Sequence, residues 1–521
     1  VTAGFKITYT TLGANLEEFH RAFDEAAIEV QRGLGKAHPL EIGAESRTGA
    51  GLFEDRSPCD TRLLVGRFPK GTREDFRAAF TAAKAAYPAW SRTPWGERVA
   101  RVRAAAETIA DRRFRLAALL VLEAGKSRTE AMGEVEESAD LLRYYARQVE
   151  ENGGYDRPMG RLAENEETRS VGRPYGPFAV IAPFNFPAAL PAGMAAGALL
   201  AGNTVVFKPS GDGPAIGGEL WKALVDGGIP RGVVNFVTGS GGVFGEEVLS
   251  NPDVAGIVFT GSKEVGMGLW KGFGREFPKP CIVEMGGKNA AIVTAKADLE
   301  KASEGVMRAA FGYGGQKCSA CSRVYVHRDV EKAFLDRLLE KTRAIKIGHP
   351  IRREVFLGPL INEEARRRYE ETVRWAAADG EILHGGRLLG GGEYAHGFYV
   401  EPTVVTGLPK RHRLFREERF VPVLPVTTVD SLEEAVALAN DSEYGLTAGI
   451  FSEDPAEVEF FFENVEAGVT YANRRSGATT GAWPGVNPFC GWKGSGNTGR
   501  GACGPYYVQQ FLREQSRTWM R

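Results

Sequence analysis

Histidine is scarce in this chain. There are seven in 521 residues, none at zinc-ligand spacing from another histidine or from a cysteine pair, which argues against a zinc site. Cysteine is scarce as well: six in a chain this long are too few for a disulfide framework and fit a reducing cytoplasm. Charge of neither sign is in excess, with 65 Lys plus Arg against 66 Asp plus Glu. Nothing in that balance asks for nucleic acid or an anionic membrane as partner. No apolar run reaches the length of a membrane span, and the opening VTAGFKITYT lacks the basic-then-apolar layout of a signal peptide. Internal repeats and low-complexity segments are absent too. What remains is 43% hydrophobic and 25% charged residues, an ordinary globular composition long enough for two or three domains.

The first part of the chain reads as helical. Apolar residues at helical spacing mark Glu17 to Arg32. Leu63 to Phe68 reads as a strand, and Thr72 with Asp75 resembles a capping box opening a helix to Tyr87. Long helical patterns cover Trp95 to Ala124 and Lys126 to Glu150. Asn152 to Glu167, rich in glycine and charge, reads as an excursion from the body, a loop or an exposed hairpin. From Tyr175 the pattern changes. FAVIAPF, TVVFKPS, VVNFVTG and GIVFTGS are short apolar runs, each followed by a helix-like segment. Strands alternating with helices imply a parallel sheet covered on both faces, with ligands at the carboxyl ends of its strands. The alternation resumes after CIVEMGG through NAAIVTA, RVYVH, LPVTTVD and AGIFS. The chain thus reads as two α/β lobes that meet near Glu284 to Gly287, followed by a partly charged tail from Gln509 to Arg521.

Several strand ends carry residues suited to chemistry. In FGYGGQKCSACS, Cys318 sits among small residues that leave its sulfur approachable and let backbone N–H groups face a bound oxygen. The same position also suits a buried cysteine filling a gap. GIVFTGSKEVG puts Gly261 and Gly266 at a strand-to-helix turn, where unpaired N–H groups favour a pyrophosphate, or simply form a tight turn. Lys208 follows a strand, where a cation meets a ribose or a phosphate or else stays in solvent. Glu284 ends another strand beside paired glycines, as a general base or a solvated carboxylate. In APFNFP, Asn185 lies between two aromatic residues and two prolines, a fixed donor suited to an oxyanion. ATTGAWPGVNPFCG is a long loop of a kind that is uncommon unless functional. Cys318 and Cys321 form a lone Cys-x-x-Cys pair, which opens a dithiol redox reading.

Together these stretches resemble the aldehyde dehydrogenase superfamily. APFNFP, TVVFKPS, IVFTGSKEVG, EMGGKN, GQKCSA, EERFVPV, YGLTAGIF and NPFCGWKGSG follow that family's order from about Pro39 onward. Within it, PFNF, the serine after Cys318 and the late TGA are similar to the branch that oxidises glutamate γ-semialdehyde. The resemblance implies an α/β fold with a Rossmann-type cofactor domain over 1–151 and 172–284 and a catalytic domain over 285–490. It also implies an oligomerisation flap and tail over 152–171 and 491–521, and a homodimer or an assembly of dimers.

The same resemblance implies the site. Cys318 would be the nucleophile, Asn185 and the Cys318 N–H the oxyanion donors, and Glu284 the base that activates water on the thioester. NAD would bind against Ala182, Pro183, Phe184, Lys208, Ser210, Gly211, Gly239, Gly245, Phe259, Thr260, Gly261, Ser262, Val265, Met285, Gly286, Glu418 and Phe420. Lys208 would meet the adenosine ribose, Ser262 the pyrophosphate and Glu418 the nicotinamide ribose. Phe186, Ser319, Gly481, Ala482 and Phe489 would hold the substrate. Where many relatives carry a ribose-binding glutamate this chain has Gly211, so NADP is an alternative acceptor; Val421 and Cys490 each replace a usual glycine. The expected activity is oxidation of a small aldehyde, foremost L-glutamate γ-semialdehyde to L-glutamate. The alternatives are another semialdehyde, an aromatic-pathway aldehyde, or a thiol redox protein using Cys318 and Cys321.

Overall fold

The computed structural model of the chain describes residues 7–8 and 17–521. The opening decapeptide, read above for its lack of a leader pattern, lies outside the described residues apart from Ile7 and Thr8.

The apolar runs that alternate with helices become the centre of the first sheet. Its strand order is Cys281–Glu284, Gly256–Thr260, Pro177–Ile181, Thr204–Lys208 and Val234–Phe236, all parallel, then Leu40–Ile42 and Glu45–Arg47 antiparallel at one edge. Thr204–Lys208 and Gly256–Thr260 are buried along their whole length, because helices cover both faces. A second seven-stranded sheet runs Glu381–His384, Thr403–Thr406, Val423–Val429, Cys321–His327, Asn289–Val293, Thr447–Phe451 and Val469–Ala472. It is parallel except at the Glu381–His384 edge. The chain crosses from one sheet to the other through Met285, Gly286, Gly287 and Lys288 alone.

A third, antiparallel sheet of Leu512–Met520, Glu166–Pro174 and Asp156–Pro158 stands apart. Of the segment 491–521 read as flap and tail, only Leu512–Met520 joins it, whereas Trp492–Lys493 pairs with Tyr444–Gly445. The tail is therefore a strand, in register from Leu512 opposite Pro174 to Met520 opposite Glu166. Its partner strand lies more than three hundred positions back in sequence, so local periodicity does not announce it.

The helices follow the sequence reading with local changes. Thr72 and Asp75 form the reciprocal capping box, the Thr72 side chain accepting from the Asp75 N–H and the Asp75 carboxylate from the Thr72 N–H. The run from Trp95 breaks at Arg112 into Trp95–Asp111 and Arg113–Ala124. The next helix begins at Arg128, capped by Ser127, and leaves Lys126 outside it. Lys126 is fully buried instead and pairs with Glu134 at 2.6 Å. Helix Ala189–Ala201 is buried at every position but Leu190. Its small residues let it pack closely on Arg128–Glu151: a β-carbon on Gly193 would touch Leu141 at 3.2 Å. Among the described residues no helix is long and apolar enough to cross a membrane, and no group of three or more His, Cys, Asp or Glu is placed to hold a metal ion.

The helix layer over the first sheet depends on one close approach. A β-carbon on Gly227 would lie 2.4 Å from the Ala105 backbone nitrogen, an atom that cannot move without displacing its helix. Gly227→Ala is expected to cost about 1–3 kcal/mol of stability through overpacking, read as a lower chemical-denaturation midpoint. An unchanged midpoint would show that the two helices can part without cost.

Candidate active site

Cys318 lies on the loop between helix Leu299–Phe311 and strand Cys321–His327. The chain reverses there through a tight turn in which Tyr313, Gly314 and Gly315 take left-handed φ values of 52°, 64° and 67°. A β-carbon on Gly315 would lie 2.9 Å from the Val421 carbonyl oxygen, so the turn needs glycine for conformation and for space. Glu284 closes strand Cys281–Glu284 at the end of the first sheet. Cys318 and Glu284 line one cavity, together with Phe186, Ser319, Gly481, Ala482 and Phe489. Asn185 is buried on its turn, 4% exposed, and is not itself among the cavity's lining residues.

Burial governs the electrostatics of the cavity. It pushes the Glu284 carboxyl up to about 8, and Glu284 Oε1 is buried with no hydrogen-bond partner among the described residues. The reading of Glu284 as a solvated carboxylate is thereby set aside. Burial likewise holds the Cys318 thiol well above the usual thiol range, and the Glu284 and Glu418 charges push the same way. The N–H groups of Ser319 and of Cys318 itself pull it back down. A thiol so placed resists ionisation until something takes its proton, and a near-neutral carboxylate lines the same cavity.

Cys321 has different surroundings. It is 2% exposed and packs in an apolar cluster with Phe311 and Val324, and its thiol donates to the Arg323 carbonyl. Burial pushes that thiol up to about 12. Both residues of the Cys-x-x-Cys pair are free thiols, and neither has the lowered pKa that favours exchange.

The residues read as cofactor ligands surround the carboxyl ends of the first sheet. Lys208 is buried, 5% exposed, and not a solvated surface lysine. Its ammonium donates to the Pro209 carbonyl at 3.0 Å, no carboxylate pairs with it among the described residues, and burial lowers it to about 8. A cation held this way has donor capacity left for hydroxyl oxygens. Ser262 caps helix Lys263–Gly272, accepting from the Val265 N–H at 3.4 Å; Gly261 precedes it and Val265 is half exposed. Ser210 accepts from the Asp212 N–H, and a β-carbon on Gly211 meets nothing within 4 Å. Gly239 sits at φ 137°, with a β-carbon position 2.8 Å from the Gly71 nitrogen, whereas Gly245 is open within helix Gly241–Ser250. Ala182, Pro183 and Phe184 follow strand Pro177–Ile181, and Phe259 and Thr260 end strand Gly256–Thr260. The Phe184 ring meets Phe420 edge-on at 5.9 Å between centroids. Glu418 accepts from the Gly287 N–H at 2.8 Å beside Met285 and Gly286, and burial pushes it up to about 7.

A buried cation without a carboxylate, a helix N-terminus behind a glycine and a half-buried carboxylate with one backbone partner fit a dinucleotide with ribose hydroxyls and a pyrophosphate. What the sequence reading missed is the support. Glu137, Leu141 and Tyr145 line the cavity from helix Arg128–Glu151, four residues apart each time, a spacing that puts them on one face. Lys317, next to the nucleophile candidate, pairs with Glu130 on that same helix at 2.6 Å. The Trp375 ring takes Arg413 at 3.4 Å and Arg419 at 4.1 Å, which ties the Glu418–Phe420 segment to helix Glu363–Asp379. Arg419 also bonds Thr372 and pairs with Glu371 of that helix.

Comparison with known proteins adds a family. The model of the Aldehyde dehydrogenase family matches residues 45–516. The 1-pyrroline-5-carboxylate dehydrogenase of Geobacillus sp. (strain WCH70) is 34% identical over 508 residues, covering 96% of each chain. Among solved structures, a 1-pyrroline-5-carboxylate dehydrogenase from Thermus with bound NAD superposes with a TM-score of 0.94 at 34% identity, covering 100% of both chains. Proline utilization A from Bdellovibrio bacteriovorus gives a TM-score of 0.92 at 35% identity; the match covers 97% of this chain and 52% of that longer one.

The cavity's electrostatics predict a pH-dependent thiol. Glu284 ionises near about 8 and above that point opposes thiolate formation on Cys318. Glu284→Gln is therefore expected to speed alkylation of Cys318 by iodoacetamide about tenfold above that pH, one pKa unit in effect, with little change below it. Equal rates for both proteins across the whole range would separate the two side chains electrostatically.

Proposed function

Because the chain belongs to the aldehyde dehydrogenase family, we propose that it oxidises L-glutamate γ-semialdehyde (1-pyrroline-5-carboxylate) to L-glutamate with NAD. One observation carries the substrate assignment. The cavity that holds Cys318 and Glu284 also carries Ser319, Lys317 and the Gly481–Ala482 backbone, alongside the rings of Phe186 and Phe489. Hydroxyl and backbone N–H groups suit a terminal carboxylate, and aromatic walls suit a short aliphatic chain. Gly481 takes φ 97°, which favours glycine, and its carbonyl accepts from Arg474, so the loop's peptide planes are held. The names of the relatives support the same substrate.

Each side chain then has a task. Cys318 adds to the aldehyde carbon as its proton leaves toward Glu284, which passes it to solvent before the hydrolytic step. Asn185 and the Cys318 N–H hold the oxyanion that forms. When bound, nicotinamide supplies the acceptor that turns the adduct into a thioester. Glu284, ionised near about 8, takes a proton from the water that hydrolyses this thioester and frees the thiol. Lys208 holds the adenosine ribose, Gly261 and Ser262 the pyrophosphate, and Glu418 the nicotinamide ribose, with Phe420 against Phe184. The open space at Gly211 supports NADP as the second acceptor. We read 1–151 and 172–284 as the cofactor domain and 285–490 as the catalytic one, supported by the change of sheet between Glu284 and Asn289. The enzyme is read as cytoplasmic and as a homodimer or an assembly of dimers. Met159, Leu162, Trp519 and Met520, all exposed on or beside the third sheet, support the assembly.

The test is the absorbance of reduced nicotinamide with purified protein, NAD or NADP and a panel of aldehydes. Glutamate γ-semialdehyde is expected to be the best substrate, and Cys318→Ala to abolish turnover while cofactor binding survives. Turnover is expected to fall as pH drops below about 8, since the base must be ionised, and Glu284→Gln to cost on the order of 10² to 10⁴ in kcat. A preference of about a hundredfold, 2.7 kcal/mol, for an uncharged aldehyde would sink the substrate assignment. No turnover with any aldehyde, together with a reversible Cys318–Cys321 disulfide, would sink the dehydrogenase reading.

A further inference from the structure

Asn289 has no part in the roles given above. It opens strand Asn289–Val293, is 2% exposed and is not among the residues lining the cavity. Its amide nitrogen donates to the Cys318 carbonyl at 2.7 Å and to the Ala320 carbonyl at 2.8 Å. Its amide oxygen accepts from the Thr447 N–H at 3.0 Å. The carbonyl between those two, that of Ser319, accepts from the Thr479 hydroxyl at 2.7 Å and the Thr447 hydroxyl at 3.5 Å. Three consecutive carbonyls of the loop are thus held by side chains from three other segments.

Peptide planarity makes this consequential. When the carbonyls of Cys318 and Ser319 are fixed, the N–H groups of Ser319 and Ala320 in the same planes are fixed with them. The Ser319 N–H is one of the two that lower the Cys318 thiol. Both donors of the Asn289 amide are committed, which leaves it no freedom to serve elsewhere. A bulge sits at this point: Asn289 is opposite Cys321 but Ala290 is opposite Arg323, so the strand is locally re-aimed beneath the loop. The contact also joins the nucleophile to its base. Only Met285 to Lys288 separate Asn289 from Glu284, and a β-carbon on Gly287 would lie 2.6 Å from both Asn289 Oδ1 and the Cys318 carbonyl oxygen.

We propose that Asn289 is a positioning residue for the nucleophile. Through the Cys318 carbonyl it sets the peptide plane that aims the Ser319 N–H at the sulfur, through the Ala320 carbonyl it anchors the end of the same loop, and it ties that loop to the crossover that carries Glu284. The proposal rests on Cys318 being the nucleophile. It asks for no contact between Asn289 and either substrate or cofactor.

Asn289→Asp and Asn289→Ala separate positioning from packing. A carboxylate at 289 keeps the acceptor for Thr447 but faces two carbonyl oxygens with no donor, and protonation restores one donor. The readout is the rate of Cys318 alkylation by iodoacetamide relative to wild type at each pH, alongside kcat and the NAD dissociation constant. At about pH 8 both variants are expected to react roughly 30-fold more slowly than wild type, for two lost hydrogen bonds. NAD affinity should hold within about twofold, since no cofactor contact is touched. Lowering the pH toward about 6 should restore Asn289→Asp and leave Asn289→Ala slow, because only the carboxyl regains a proton. Folded variants with wild-type alkylation rates, or equal recovery of both at low pH, would overturn the proposal. If neither Asn289 variant folds, Thr479→Val removes one of these bonds at nearly constant volume. A rate about fivefold lower would then support the proposal, and an unchanged rate would overturn it. Alkylation needs no aldehyde oxidation, so a wild-type protein inactive on every aldehyde fails the proposed function while leaving this comparison intact.

Discussion

The site depends on a crossover of four residues. A β-carbon on Gly286 would fall 2.0 Å from a Glu418 carboxylate oxygen, and one on Gly287 would fall 2.6 Å from the Cys318 carbonyl oxygen. The two glycines let backbone from the first sheet press against groups that belong to the second. Without that approach, Glu284 at the end of one sheet and Cys318 on a loop of the other would not line one cavity. Arg323 secures the far side. It is 3% exposed and donates to the carbonyls of Lys288, Phe415 and Ala439, so the end of the crossover is bound to the segment leading to Glu418.

Burial then sets the chemistry. The same desolvation raises Glu284 to about 8 and Glu418 to about 7, lowers Lys208 to about 8 and keeps the Cys318 thiol protonated. The two carboxylates and the lysine, which would be fully charged in water, are brought near the point where they exchange protons at neutral pH. A base poised there takes a proton readily and returns it readily, which suits the role proposed for Glu284. The cost is borne in stability. Glu284 and Glu418 are raised above their unfolded values, so the stability present below the unfolded carboxylate range is lost as pH rises through about 7 to 8.

Around the cavity, functional groups sit on loops, and buried or stacked cations hold those loops. Lys126 pairs with Glu134 and lies 3.7 Å over the Phe186 ring, while Glu134 also accepts from the N–H groups of Ala188 and Ala189. Arg474 stacks on Tyr471 and bonds the Gly481 carbonyl. Arg413 and Arg419 sandwich Trp375 beside Glu418 and Phe420. Most of these contacts place an always-charged or buried cation on an aromatic face.

The sequence by itself determined the class of the fold and the chemical parts. Apolar runs alternating with helical stretches fix parallel sheets, because a strand covered on both faces must be apolar throughout, as Thr204–Lys208 is. Local chemistry fixes the Thr72 capping box and the turn of glycines before Cys318. What only the tertiary structure decided is which parts meet and in what charge state. No local pattern pairs Leu512–Met520 with Glu166–Pro174, sets Glu137 and Lys317 in one cavity, or bends the Asn289 amide onto the carbonyls of Cys318 and Ala320. Nor does any local pattern show that Lys208 is buried, or that Glu284 is half-buried with its carboxyl desolvated. Composition and periodicity report short-range preference. Contacts across hundreds of residues, and the desolvation that shifts a proton, exist only once the chain has closed around them.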